Sequence, residues 1–325
     1  MRTNMNIYFA PMEGLSGYIY RNAHHVCFNH IDKYFSPFVS VNESGNFKKR
    51  ELEDLAPEHN GDLVLIPQLL ANKTSEFVLF AERIKQMGYK EINLNLGCPS
   101  GTVVAKNKGS GFLAKTAELD AFLYGIFAWG GTGISIKTRI GKEHPDEFYE
   151  LIEIFNKYPI KELTIHPRIQ KDFYKNKPNM ELFRYALNHS KNPLCYNGNL
   201  FTANQYQEFS TGYPGVKSVM LGRGLLVNPG LSKEIKATAK ADKSTIMTFH
   251  DMIYSEYKKV LPGDVTILYK MKEIWFYLAL LFTNHDKYAR KIRKSTRLSD
   301  YDAAVSSLFR EQDLLYNYEG NLDQV

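Results

Sequence analysis

Short runs of apolar and β-branched residues recur along the chain, separated by stretches with apolar residues at three- and four-residue spacing. Eight such runs read as strands: residues 7–10, 33–39, 63–68, 91–96, 134–138, 162–165, 193–196 and 218–221. Segments 74–87, 117–127 and 147–158 between them read as amphipathic helices. The first of these has Thr74 as its expected N-cap and Gly88 as its stop. Strands alternating with helices predict βα units and a parallel sheet. Eight units in the first 235 or so residues predict a (β/α)8 TIM barrel. The competing open, doubly wound sheet calls for GxGxxG after the first strand, where this chain has APMEGLSG. After Pro229 the pattern changes. From about residue 245 onward only helical periodicity remains, so a small C-terminal helical bundle domain is expected. We therefore expect residues 1–240 to form the barrel and residues 241–325 the helical domain.

Composition narrows the class. Of 325 residues, 44% are hydrophobic, which supports a sizeable core. The net charge of +6 is compatible with a nucleic-acid partner without demanding one. Three cysteines, Cys27, Cys98 and Cys195, lie far apart with no CxxC. That argues against a disulfide framework, a zinc site and an iron–sulfur cluster. The N-terminus lacks an apolar signal-peptide core, and the longest apolar run, residues 274–282, is too short to span a membrane. A cytoplasmic, metal-free, membrane-independent monomer is the expectation.

Chemistry in such a barrel lies at the C-terminal strand ends. Read in order, these ends offer Pro11 and Met12, then Gln68, then Asn95 with the loop Gly97-Cys98-Pro99-Ser100. The fifth offers Lys137 and Arg139, the sixth His166 and Arg168. The seventh and eighth offer Asn197-Gly198-Asn199 and Gly222-Arg223-Gly224. Nearly every apolar run is followed by a polar side chain, a regularity that packing alone does not produce. Glycine-bearing turns after the last two strands are expected to hold a phosphate through backbone N–H groups, with Arg223 as a charged partner. If the ligand is FMN, Lys137 suits the edge of the ring where reduction places negative charge, and Gln68 its polar rim.

Cys27, in a helical stretch, and Cys195, inside a strand, read as small core hydrophobes. Cys98 sits in a Gly-Cys-Pro turn at the expected barrel mouth. A thiol there serves as a nucleophile, a redox sensor or a general acid, and spacing leaves the three open.

The segments APMEGLSGYIYR, PQLL, INLNLGCPSGTVVAKNKGSG, ISIKTRIG, TIHPR, YNGN and MLGRGLLVNP follow one another in an order and spacing that resemble the tRNA-dihydrouridine synthases. The resemblance covers residues from about 7 to 230. It implies bound FMN, NADPH or NADH as electron donor, and reduction of the C5–C6 double bond of uridines in tRNA. It further implies hydride delivery to C6 and a proton from Cys98 to C5. Pro11, Met12, Gln68, Lys137, His166, Asn197, Gly198, Asn199, Gly222 and Arg223 would hold FMN. Asn95, Arg139 and Arg168 would lie near the uracil. The chain departs from the family pattern at Ser16-Gly17, where Thr-Asp is common, at Pro167, and at Asn199, where Asp is common.

RNA also needs a basic surface. Residues 241–325 carry 12 Lys and Arg against 12 Asp and Glu, but unevenly. Lys287, Arg290, Lys291 and Lys294 fall at helical spacing and are expected to share a face that contacts tRNA phosphates. Ribosomal RNA, or a small molecule in another FMN barrel, is the alternative substrate.

Overall fold

The computed structural model describes residues 5–237, 239–315 and 318. Eight parallel strands close into a barrel in sequential order, with β1 pairing β8 to complete the ring. The ring opens with β1 (Asn6–Phe9) and α1 (Tyr18–Phe28), then β2 (Lys33–Ser40) with α2 (Lys49–Leu55) and α3 (Pro57–Asn60). It continues with β3 (Leu65–Leu70) and α4 (Thr74–Gln86), then β4 (Glu91–Leu96) with α5 (Gly101–Val104) and α6 (Thr116–Trp129). Next come β5 (Gly133–Arg139) and α7 (Glu147–Phe155), then β6 (Leu163–His166) and α8 (Met180–His189). It closes with β7 (Leu194–Tyr196) and α9 (Ala203–Gly212), then β8 (Ser218–Leu221) with α10 (Arg223–Val227) and α11 (Leu231–Ala237). The helical region adds α12 (Lys243–Val260), α13 (Asp264–Leu278), α14 (His285–Lys294) and α15 (Leu298–Glu311).

All eight predicted strands are present. Strands covered on both faces bury every position, which is why β3 and β4 are buried throughout. One set of alternating residues fills the barrel interior, including Tyr8, Phe35, Ile66, Cys195 and Met220. The other set, including Leu94, Ile136, Ile165 and Val219, packs outward on Phe80, Leu123, Ile152 and Phe183 of the helices.

Two local expectations are corrected. The strand carrying Gln68 does not end there: it continues through Leu69 and Leu70, so Gln68 is interior and fully buried. The N-cap of α4 is Lys73 rather than Thr74, with no side-chain cap, and Thr74 is the first helical residue.

The helical region shares the barrel's core. Phe249 of α12 packs edge-on against Tyr20 and Phe28 of α1, with ring centroids 5.1 and 5.5 Å apart. Burying one such ring is worth about 1.5–3 kcal/mol. Ala241, at the join, is buried. The barrel and the helical region are thus built on one continuous core. Lys270 of α13 donates to the Gly14 carbonyl in the β1–α1 loop at 2.9 Å, which brings α13 to the barrel mouth. Among the described residues, no helix is long and apolar enough to cross a membrane.

Candidate active site

The parallel register sets the site. Asn95 pairs with Lys137 across β4 and β5, and Arg139 pairs with His166 across β5 and β6. Inward-pointing residues at the top of neighbouring strands are thereby brought together at the barrel mouth. Pro11, Met12, Lys137, His166, Asn197 and Gly198 line a cavity there, joined by Asn199, Gly222 and Arg223 from the last two strand ends. All nine were expected from sequence. The tenth expected cofactor residue, Gln68, lies beneath the cavity, where its amide binds Asn93 and Asn95, each at 2.7 Å.

Among the described residues, the cavity lining carries the cations Lys137 and Arg223 and no carboxylate. Among the described residues, the Lys137 amine has no hydrogen-bond or ion-pair partner. Burial, reinforced by Arg139, lowers its pKa to about 8. Burial and the charges of Arg139, Lys137, Arg168 and Arg223 hold His166 well below the usual imidazole range. Arg168 Nη1 lies 2.8 Å from His166 Nε2. Arginine can only donate, so Nε2 accepts and the ring proton sits on Nδ1. Such a site favours an anionic ligand that supplies the missing countercharge. Among the described residues, no cluster of three or more His, Cys, Asp or Glu could hold a metal ion.

Cys98 is held by its loop from several directions. Asn95 Oδ1 accepts the backbone N–H groups of Gly97 at 3.0 Å and Cys98 at 2.9 Å. The Cys98 carbonyl accepts Ser110 Oγ–H at 2.8 Å and Ser110 N–H at 3.1 Å. Gly109 has φ +57, and a Cβ there would stand 2.8 Å from the Cys98 carbonyl oxygen. The GxG that follows the cysteine loop is thus a packing requirement of that loop. The thiol is half-buried, and burial pushes its pKa above the usual value. The Glu13 charge adds to the rise, while the Ser100 N–H, Lys137 and Arg139 oppose it. A protonated thiol at neutral pH suits a proton donor better than a nucleophile. The other two cysteines are structural: Cys195 is buried, and Cys27 lies 3.8 Å from Met252 Sδ.

Three side chains expected near the substrate make their hydrogen bonds to the protein. Asn95 ties the cysteine loop, as described. Arg139 is buried and donates to the carbonyls of Gly97, Ile169 and Phe173 at 2.8–3.0 Å. Arg168 is buried and donates to the Asn176 carbonyl and to Asn199 Oδ1. Both guanidinium groups brace the loops around the cavity. Gly198 and Gly224 are also packing residues, because a Cβ would stand 2.0 Å from the Tyr196 hydroxyl and 2.3 Å from the Leu200 carbonyl, respectively.

Sequence reading missed Tyr174, in the loop after β6. Its ring lies over the Arg223 guanidinium at 4.2 Å and near Arg139 at 5.6 Å, and it helps close the cavity to about 60 Å³. An aromatic eight residues beyond His166, between lysines, was the available signal. The basic residues of α14 lie away from the cavity. Lys287, Arg290, Lys291 and Lys294 are all exposed. Lys291 and Lys294 border α15, whereas Arg290 borders α13.

The chain matches the dihydrouridine synthase (Dus) family over residues 8–314. It is 25% identical to a Staphylococcus aureus protein named probable tRNA-dihydrouridine synthase, over 97% of this chain and 93% of that protein. It is 26% identical to probable tRNA-dihydrouridine synthase 2 of Bacillus subtilis, over 77% of this chain and 78% of that protein. Among solved structures, a morphinone reductase variant in complex with tetrahydroNAD matches with TM-score 0.51 at 11% identity, over 74% of this chain and 89% of that one. A variant of NCR from Zymomonas mobilis matches with TM-score 0.50 at 14% identity, over 75% and 90%. At these identities the structural likeness speaks to the barrel fold. The family match runs through both the barrel and the helical region, and on that ground the chain belongs to the dihydrouridine synthase family.

Proposed function

We propose that this protein is an FMN-dependent tRNA-dihydrouridine synthase that reduces the C5–C6 bond of uridines in tRNA, with NADPH or NADH as electron donor. One observation carries the reading: Lys137, without a partner among the described residues, lies in a cavity whose described lining holds cations and no acid, within electrostatic reach of the half-buried Cys98 thiol.

The donor set fits FMN. Arg223 and the backbone of Gly198, Asn199 and Gly222 suit its phosphate. Lys137 offers its ammonium to the electron-rich edge of the ring, and neutral His166 offers Nδ1–H. Pro11, Met12 and the Asn197 backbone form the walls; Gln68 acts from below through Asn95. Tyr174 must swing off Arg223 to admit a ligand of this size. When bound, FMN supplies the hydride that C6 of the base takes up. Cys98, kept protonated by burial, gives its proton to C5. Asn95 and Arg139 hold the loop that carries this thiol; Arg139 and Arg168 hold the loop across the mouth.

A uracil must leave its stack to reach the cavity, so an unpaired loop nucleotide is the target. Residues 1–240 carry the chemistry, and residues 241–325 grip the tRNA, with Lys287, Arg290, Lys291 and Lys294 as phosphate contacts. The protein works in the cytoplasm as a monomer. Competition among substrates tests the reading: purified protein with NADPH is offered unmodified tRNA, ribosomal RNA and free uridine, and dihydrouridine is measured by mass spectrometry. Product in tRNA alone supports it; product in ribosomal RNA or in free uridine alone overturns it.

A further inference from the structure

Helix α13 carries large apolar side chains where a solvated helix carries charge. Val265, Tyr269 and Phe276 are 77%, 64% and 60% exposed. Their spacing of four and seven residues puts them on one stripe. Trp275, next to Phe276, is 1% exposed and faces the core, so the stripe is not a slipped core face.

The stripe lies between two features of the substrate reading. On one side, Lys270 reaches the Gly14 carbonyl at the barrel mouth. Tyr277 stands edge-on to Phe276, at 4.9 Å between centroids, and its phenol lies within electrostatic reach of Arg223 at the cavity. On the other side, α13 and α14 enclose a groove of about 200 Å³. Phe276, Trp275 and Leu280 supply its apolar floor, and Lys272, Arg290 and Arg293 supply positive charge along its edges. Lys272 donates to the Ser295 carbonyl at 2.6 Å, which fixes α13 to the end of α14. Arg290 and Arg293 have no carboxylate partner among the described residues. Asp286, the groove's one acid among the described residues, stands 3.4 Å from His285. An exposed ring beside unpaired guanidinium groups is complementary to a base with its phosphates.

We propose that Phe276 is a stacking platform for an unpaired base of the bound tRNA, with Arg290 and Arg293 on its flanking phosphates. This deepens the tRNA reading and rests on it. An RNA strand that runs from the cavity to the basic face of α14 has to cross this stripe. Stacking on an aromatic face accepts any base, so the platform would position the strand without selecting sequence.

The test measures tRNA affinity at several salt concentrations for wild type, Phe276→Ala, Phe276→Leu and Phe276→Trp. Melting temperatures serve as the fold control, and a blunt RNA duplex as the probe without unpaired bases. Stacking predicts that Ala and Leu both weaken tRNA binding by roughly 5- to 100-fold. It also predicts that Trp restores binding, that the salt slope is unchanged, and that duplex binding is unaffected. Leu binding like wild type would mean simple apolar contact and overturn the stacking claim. Wild-type affinity in all three variants, with dihydrouridine still formed, overturns the platform and leaves the tRNA reading standing. A wild-type dimer that Phe276→Ala separates, with tRNA affinity unchanged, would assign the stripe to a second copy of the chain. Failure of the wild type itself to bind tRNA ends the reading and the platform together.

Discussion

The side-chain oxygen of Asn95 accepts the backbone N–H of Cys98 at 2.9 Å, while its amide nitrogen donates to Gln68 Oε1 at 2.7 Å. The reactive loop is thereby tied to the polar layer inside the barrel. Asn95→Ala leaves two loop N–H groups and the Gln68 oxygen unmet, a loss of roughly 1–3 kcal/mol in stability. Uridine reduction should fall much further than flavin content. Asn95→Asp, which keeps the acceptor, should recover part of the activity. Thermal melting alongside dihydrouridine formation checks both.

Gly109 admits no side chain. A Cβ at φ +57 would stand 2.8 Å from the Cys98 carbonyl oxygen and 2.9 Å from Val103 Cγ1. Gly109→Ala should cost about 1–3 kcal/mol in backbone strain and displace Cys98. We expect near-normal flavin content with roughly 100-fold slower product formation, the scale of a lost general acid. A flavin spectrum and a single-turnover assay on the same sample separate the two effects.

Lys137 should make both stability and flavin binding depend on pH. Its folded value is lowered to about 8, below the ordinary 10.5. Between these values the unfolded chain binds more protons, so raising pH across that window stabilises the ligand-free protein. Below about 8 the cost of burying the charge is fully present. Affinity for FMN runs the other way. An anionic ligand prefers the protonated amine, so binding should weaken as pH rises past about 8. Lys137→Met should flatten both dependences. Flavin fluorescence titrations and melts on either side of that pH check the sign.

The proposed α14 contacts would act through charge. Arg290→Glu with Lys294→Glu should weaken tRNA binding and reduce the slope of log affinity against log salt by about two, one for each lost phosphate contact. Equal salt slopes for the double variant and wild type would mark these residues as a solvated face.

The strands were legible because each is covered on both sides, so β3, β4 and β6 read as unbroken buried runs. The strand-end residues were legible because a polar side chain follows nearly every run. Gln68 was misplaced by two residues because Leu69 and Leu70 continue its strand, and a terminus next to apolar residues carries no local mark. The tasks of Arg139 and Arg168 were hidden for another reason. Their partners are carbonyls of Gly97, Ile169, Phe173 and Asn176, and a backbone carbonyl has no signature in sequence. Tyr174 belongs to a loop whose course depends on those same bonds. The shared core at Phe249 was likewise invisible, because helical periodicity shows which face is apolar but not what covers it.

The central claim is that Cys98 donates a proton to a tRNA uridine in a flavin-bearing barrel. The most direct measurement compares wild type with Cys98→Ala in two half-reactions: bleaching of the bound flavin by NADPH, and dihydrouridine formed in unmodified tRNA by mass spectrometry. The account predicts equal bleaching in both proteins, with dihydrouridine made by wild type and at least 100-fold less by the variant, the scale of a lost general acid. Wild-type product yield and rate from Cys98→Ala, or no dihydrouridine from the wild-type protein, would contradict it.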